Sequence, residues 1–320
     1  MNKEEIENVW LGITHTGMGE FEYRLLSPES FPSLNIGYHI NGNRCLILEL
    51  PANFNGQFQQ FERENLSLKY FQNNGCLCII LKDDFFKDLF DDLILSIYGK
   101  IWNINNPVRY SDLFISLFAL WSSFFEIRQN EGLSKVQVKG LIGELIYLKS
   151  LLIDSELNVD DVLRSWRGPY DEGHDFVFDF TDFEIKTIEQ NRNDVRISSE
   201  FQLDSEIGKK LELVIIFVKS NIENGLSLKS LINEIRSIVH EKLGDNSIFI
   251  NALAQKGLTI GDLDQYEIYR YTPIEEISYD SNKENFPKLI RSSIPEEINK
   301  LNYNIRLNLI EEFIINKKHF

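Results

Sequence analysis

The sequence predicts an α/β protein whose α/β part is preceded by a β-rich N-terminal module. Three observations predict it. Residues 20–83 carry short strand-like runs separated by Gly, Asn and Pro turn signals. From residue 134 onward, runs with helical spacing alternate with apolar runs of strand length. Between the two, Asn103 to Pro107 interrupts a helical pattern, and the domain boundary is expected there. That gives residues 1–105 as a β-rich module ending in a helix. Residues 106–320 form the α/β domain, with a core at about 134–220 and a C-terminal extension.

In the N-terminal module, Phe21 to Leu26, Ile36 to Ile40, Arg44 to Leu50, Leu66 to Phe71 and Cys76 to Lys82 read as strands. Turns such as Asn41-Gly42-Asn43 and Asn73-Asn74-Gly75 bound them. Phe86, Leu89, Phe90, Leu93, Ile94 and Ile97 then recur at helical spacing within Asp83 to Tyr98, and Ser111 to Arg128 is a second helical stretch.

Ser134 caps a third helix that runs to about Ile153, with Val138, Leu141, Ile142, Leu145, Leu148 and Leu152 on one stripe. Glu144 lies beside that stripe, one turn from Leu141 and Leu148, where the helix meets the sheet. A boundary glutamate whose head reaches solvent would show the same spacing. Gly140 and Gly143, on the adjoining side, permit close backbone approach.

Trp166-Arg167-Gly168-Pro169-Tyr170 is a turn-forming connector, and residues 174–186 read as a β-hairpin. Alternation puts Glu184 and Lys186 on one face of its second strand and Phe183 and Ile185 on the other. A four-residue loop from Asp179 to Asp182 would pair Phe178 with Phe183 and set Asp175 opposite Lys186, diagonal to Glu184. A strand at Asp194 to Ile197 follows, then Ser199-Glu200-Phe201-Gln202 with the form of a capping box, a strand at Leu211 to Lys219 and an amphipathic helix at Leu226 to Lys242. Tyr266 to Thr272 and Asn302 to Leu309 read as further strands, and Ile274 to Phe286 as a polar connection.

Composition limits the function. The net charge is −16, and residues 1–100, 101–210 and 211–320 carry −6, −7 and −3, so no part of the chain is basic. Phosphate backbones are bound through Lys and Arg, so this chain alone is expected to hold nucleic acid weakly and to act with a partner. There is no apolar run of about 18 residues and no apolar stretch behind the N-terminal charges, which predicts a cytoplasmic protein without membrane contact. The three cysteines, Cys45, Cys76 and Cys78, read as buried reduced thiols, and His15, His39, His240 and His319 show no ligand spacing.

An Asp followed by Glu-x-Lys on adjacent strands can hold a divalent cation beside a reactive water. The same pattern also occurs on solvated sheet faces with cross-strand ion pairs. Lys186, beside two carboxylates, is expected to keep its proton and to orient water or stabilise developing negative charge.

The order of elements resembles the core of the PD-(D/E)XK nuclease superfamily, with its restriction-endonuclease-like fold, over residues 134–220. Within it, the chain resembles a bacterial family found among restriction and phage-defence genes. The residues that carry the likeness are Gly-Leu-Ile-Gly-Glu-Leu at 140–145, Trp-Arg-Gly-Pro at 166–169, His-Asp-Phe at 174–176, Glu-Ile-Lys at 184–186 and Ile-Ser-Ser-x-x-Gln-Leu at 197–203. His174 stands where that pattern has Pro. The resemblance implies an endonuclease that hydrolyses DNA with Mg2+ or Mn2+, working with proteins of a defence operon. It implies Asp175, Glu184 and Glu144 as metal ligands and Lys186 as the catalytic lysine. Gln202, Arg196, Arg192 and Arg167 are candidate substrate contacts. A nuclease-like fold kept as a non-catalytic scaffold is the competing expectation.

Overall fold

The N-terminal strands form close to where their bounding turn signals put them. The computed structural model describes residues 1–14, 16–52, 54, 58–126, 132–170 and 173–320; His15 and the expected helix end at Arg128 lie outside the described residues. The chain divides into two units, Met1–Gln129 with His240–Asn251 and Thr259–Gly261, and Asn130–Val239 with Ala252–Leu258 and Asp262–Phe320.

The first unit opens with helix α1 (Lys3–Leu11), whose start is closed by a reciprocal capping box between Asn2 and Glu5. Strands β1 (Phe21–Leu25), β2 (Leu34–His39), β3 (Arg44–Glu49), β4 (Phe61–Glu62), β5 (Leu66–Phe71) and β6 (Cys76–Leu81) form an antiparallel sheet in the order β1-β2-β3-β6-β5-β4. One face of this sheet packs with α2 (Lys87–Ile101) and α3 (Pro107–Ser122) in a core that includes Leu46, Ile79, Phe90, Phe114 and Trp121. Cys45, Cys76 and Cys78 cluster with Ile47 and Ile80, buried and free of disulfides, and burial pushes the Cys76 thiol up to about 12. These are the expected inert thiols.

Asn103 to Pro107 separates two helices and not two units. Asn106 accepts from the Arg109 N–H at 3.1 Å and Pro107 takes the first helical position, so the Asn-Pro signal starts α3, which stays in the first core.

The second unit is built on a five-stranded mixed sheet. Helices α4 (Lys135–Asp154) and α5 (Val159–Ser165) precede β7 (Phe176–Val177), β8 (Thr181–Glu189), β9 (Asp194–Ile197) and β10 (Lys210–Ser220). Helix α6 (Leu228–Glu241), whose last two residues belong to the first unit, and α7 (Asn246–Gln255), of which only the part from Ala252 belongs to the second, come next, then β11 (Tyr271–Asp280), β12 (Tyr303–Arg306) and β13 (Ile314–His319). The sheet order is β13-β11-β10-β8-β7; β8 and β10 run parallel, and the other pairs are antiparallel. Strand β9 leaves this sheet and pairs with β12 as a separate two-stranded ribbon.

Three expectations are corrected here. Strand β11 occupies most of the segment expected to be a polar connection, because Glu276 and Ser278 are themselves buried while Ile277 and Tyr279 enter the core, which hides the alternation. The strand expected from Tyr266 begins only at Tyr271. Ser199 to Gln202 is a turn and not a helix start: Gln202 Oε1 accepts from the Ser198 N–H at 2.7 Å, and no helical apolar period follows to propagate a helix.

Candidate active site

Helix α4 reaches the sheet through a glycine. The box at its start is complete, with Ser134 accepting from the Gln137 N–H and Gln137 Oε1 accepting from the Ser134 N–H. At Gly143 a Cβ would fall 1.8 Å from Thr187 Oγ1 and 3.0 Å from Thr187 Cβ, so α4 and β8 touch at a point where only hydrogen fits. One turn later Tyr147 packs its ring on Phe176 and Phe183, at 5.1 and 5.5 Å, and clamps the base of the hairpin. Glu144 lies between these two anchors and is partly buried against the sheet.

The hairpin forms in a register two residues away from the expected one. Phe176 pairs with Phe183 and Val177 with Asp182, leaving Phe178 in the loop with its N–H donated to Thr181 O. Full burial of Phe176 under Tyr147 selects this pairing. A shift of two keeps every side chain on its predicted face but brings Asp175 level with Glu184 instead of Lys186. Asp175 Oδ2 accepts from the Ile185 N–H at 2.8 Å, and its carbonyl accepts from the N–H groups of Arg167 and Gly168 at 2.8 and 3.0 Å. His174 turns the other way, with Nδ1 3.3 Å from Asp182 Oδ2, and Lys209 pairs with the same carboxylate at 2.7 Å.

Each acid of the group gives one oxygen to a protein donor. Glu144 Oε2 accepts from the Trp166 indole N–H at 2.8 Å, Asp175 Oδ2 from Ile185, and Glu184 Oε1 from the Lys186 ammonium at 2.7 Å. A Cβ at Gly168 would come within 2.7 Å of Asp175 Oδ1 and 2.9 Å of Glu144 Oε2, so this glycine keeps the space between two carboxylates open. Burial, reinforced by Asp175, raises Glu144 to about 7. Burial also raises Glu184 to about 8, against the pull of Lys186. Burial likewise raises Asp175. Burial alone would lower Lys186, but the carboxylates of Glu184, Asp175 and Glu144 outweigh it and hold the ammonium charged, as the sequence argument expects.

These four residues line one cleft of about 1180 Å³ in the second unit. Arg192, Arg196 and Gln202 line it as well; among the described residues the lining does not include Arg167, which acts on the site through its backbone N–H to Asp175. Lys256, which follows α7, is a member that sequence reasoning missed. It lines the cleft, and its charge pulls the pKa of both Glu144 and Asp175 downward. No spacing rule links it to residues so far back in the chain.

The donor set fits a hard divalent cation: Glu184 is buried and Glu144 and Asp175 partly buried, Asp175 raises both Glu144 and Glu184, and each of the three has an oxygen left over beyond its protein partner. Among the described residues, no three His, Cys, Asp or Glu side chains are already grouped closely enough to hold a metal ion. The acids are turned toward Trp166, Ile185 and Lys186 instead.

The family model described as "Putative PD-(D/E)XK family member, (DUF4420)" matches residues 6–308. The chain belongs to this family. The match extends well beyond residues 134–220 and takes in the N-terminal sheet, so that sheet is part of what the family shares. No curated protein and no solved structure matches the chain.

Proposed function

We propose that this chain is a metal-dependent endodeoxyribonuclease, one subunit of a restriction or phage-defence system acting in the cytoplasm. The observation that carries the reading is the meeting of Glu144, Asp175, Glu184 and Lys186 on one cleft, from α4, the residue that precedes β7, and β8. Membership of a PD-(D/E)XK family supports it, and among the described residues no helix is long and apolar enough to cross a membrane.

Asp175, Glu184 and Glu144 would hold Mg2+ or Mn2+. When bound, the cation makes water a competent nucleophile near neutral pH and offsets charge on the phosphoryl group. Lys186 remains protonated beside Glu184 and donates to the attacking oxygen or to the phosphate as negative charge develops. The Trp166 indole fixes the Glu144 carboxylate, and the Ile185 N–H fixes that of Asp175, so both acids are held in place before substrate arrives.

The net charge of −16 and the lack of a preset metal group among the described residues favour a second reading, a nuclease fold retained as a non-catalytic scaffold. Incubation with plasmid and single-stranded DNA, with Mg2+ or Mn2+ and with the proteins of neighbouring genes, separates the two. Cation-dependent cleavage that disappears in a folded Lys186→Ala variant is the expected result. No cleavage under any of these conditions would sink the nuclease reading and favour the scaffold.

A further inference from the structure

One wall of the cleft is built to show an aromatic ring and two guanidinium groups. In β9, Val195 and Ile197 enter the core, which turns Arg196 outward, cross-strand from Asn304 of β12. The turn that follows is anchored at several points: Leu203 is fully buried, Glu200 is buried and pairs with Arg291, and Gln202 closes back on the Ser198 N–H. Between these anchors Phe201 is 58% exposed, and among the described residues it is the one aromatic side chain lining the cleft. Arg192 and Arg196 are exposed, and among the described residues neither is ion-paired. The cleft as a whole carries five basic and five acidic side chains, so it lacks the negative excess of the chain around it.

An exposed ring held by a rigid turn, with cations beside it, suits a base whose face is open while its backbone phosphates are neutralised. Bases inside a duplex have both faces stacked and cannot meet such a ring without being extruded. We propose that Phe201, with Arg192 and Arg196, binds single-stranded or locally unpaired DNA and makes it the preferred substrate of the cleft. The inference rests on the nuclease reading and supplies its substrate class.

The test measures binding of a labelled oligothymidine and of a duplex at low ionic strength by fluorescence anisotropy, with the full chain carrying Lys186→Ala so that the strands survive. Adding Phe201→Ala should weaken single-strand binding about 5- to 150-fold, the range for losing one base–aromatic stack. Phe201→Trp should restore it, and duplex binding should be unchanged in both. Phe201 is exposed, and unchanged circular dichroism checks the fold. Equal loss on both strands, no loss on the single strand, or no binding to either overturns the inference. Parallel cleavage assays with Lys186 intact keep the outcomes apart. Lys186-dependent cleavage without strand preference leaves the nuclease reading standing and removes this one. Phe201-dependent single-strand binding with no cleavage removes the catalysis and leaves the binding surface.

Discussion

Two glycines one turn apart on α4 are expected to respond to alanine with opposite signs. At Gly140 a Cβ meets nothing within 4 Å, so Gly140→Ala gains helix propensity without a clash, about 0.5–1 kcal/mol. At Gly143 the added methyl lands 1.8 Å from Thr187 Oγ1; rotating that side chain leaves Thr187 Cβ at 3.0 Å, still inside contact distance. The helix must then retreat from β8, and overpacking of this kind costs about 1–3 kcal/mol, more than the propensity gain. In calorimetry of the full chain, on the transition carrying the second unit, each kcal/mol corresponds to about 2–4 °C. Gly140→Ala should raise that transition and Gly143→Ala should lower it. Gly143→Ala should also impair cation binding, because the next residue is Glu144. Equal stabilisation by both alanines would show that α4 does not approach β8 as described, and the placement of Glu144 would fall with it.

Without divalent cations, stability should fall as pH rises. Glu144 and Glu184 are raised in the folded state from an ordinary value of about 4.5 to about 7 and about 8. The folded state therefore binds more protons between those limits, and the protonated acids favour it fully below about pH 4.5. The contribution, on the order of a few kcal/mol, is lost as pH climbs through 7 to 8. Thermal melts in chelator should show this slope, Mg2+ should restore stability near pH 8 far more than near pH 5, and a flat profile would contradict it. Trp166→Phe leaves a Glu144 oxygen without its donor and should cost about 1–3 kcal/mol while weakening Mn2+ binding, read by denaturation and calorimetry. Lys256→Ala removes a cation that bears on Glu144 and Asp175, so Mn2+ should bind tighter, by on the order of 1 kcal/mol, while substrate cleavage slows. Loss of metal affinity in Lys256→Ala would place that ammonium elsewhere.

Much of this architecture is written locally. The N-terminal strands, α4 with its Ser134 cap, and the shared face of Glu184 and Lys186 follow from turn signals, capping and period. The hairpin register does not, because pairing Phe183 with Phe176 or with Phe178 gives the same faces; the choice is made by Tyr147, which comes from a different element. The Ser-x-x-Gln pattern occurs twice, and only Ser134 to Gln137 forms a capping box, since only there does a helical stripe follow. Lys256 enters the cleft from far along the chain, and Phe201 becomes meaningful only once its turn is seen to be anchored at the cleft wall. Local signals placed the acids on their faces, and tertiary packing decided which groups join them.

The central claim is that Glu144, Asp175 and Glu184 share one cation beside a charged Lys186, and calorimetric titration with Mn2+ near pH 7 in buffers of different ionisation heat tests it directly. Binding should release protons, because Glu144 and Glu184 are partly protonated there and must ionise to act as ligands, and Glu184→Gln should reduce both the affinity and the release. Absence of binding, or binding unchanged in Glu184→Gln, would contradict the claim.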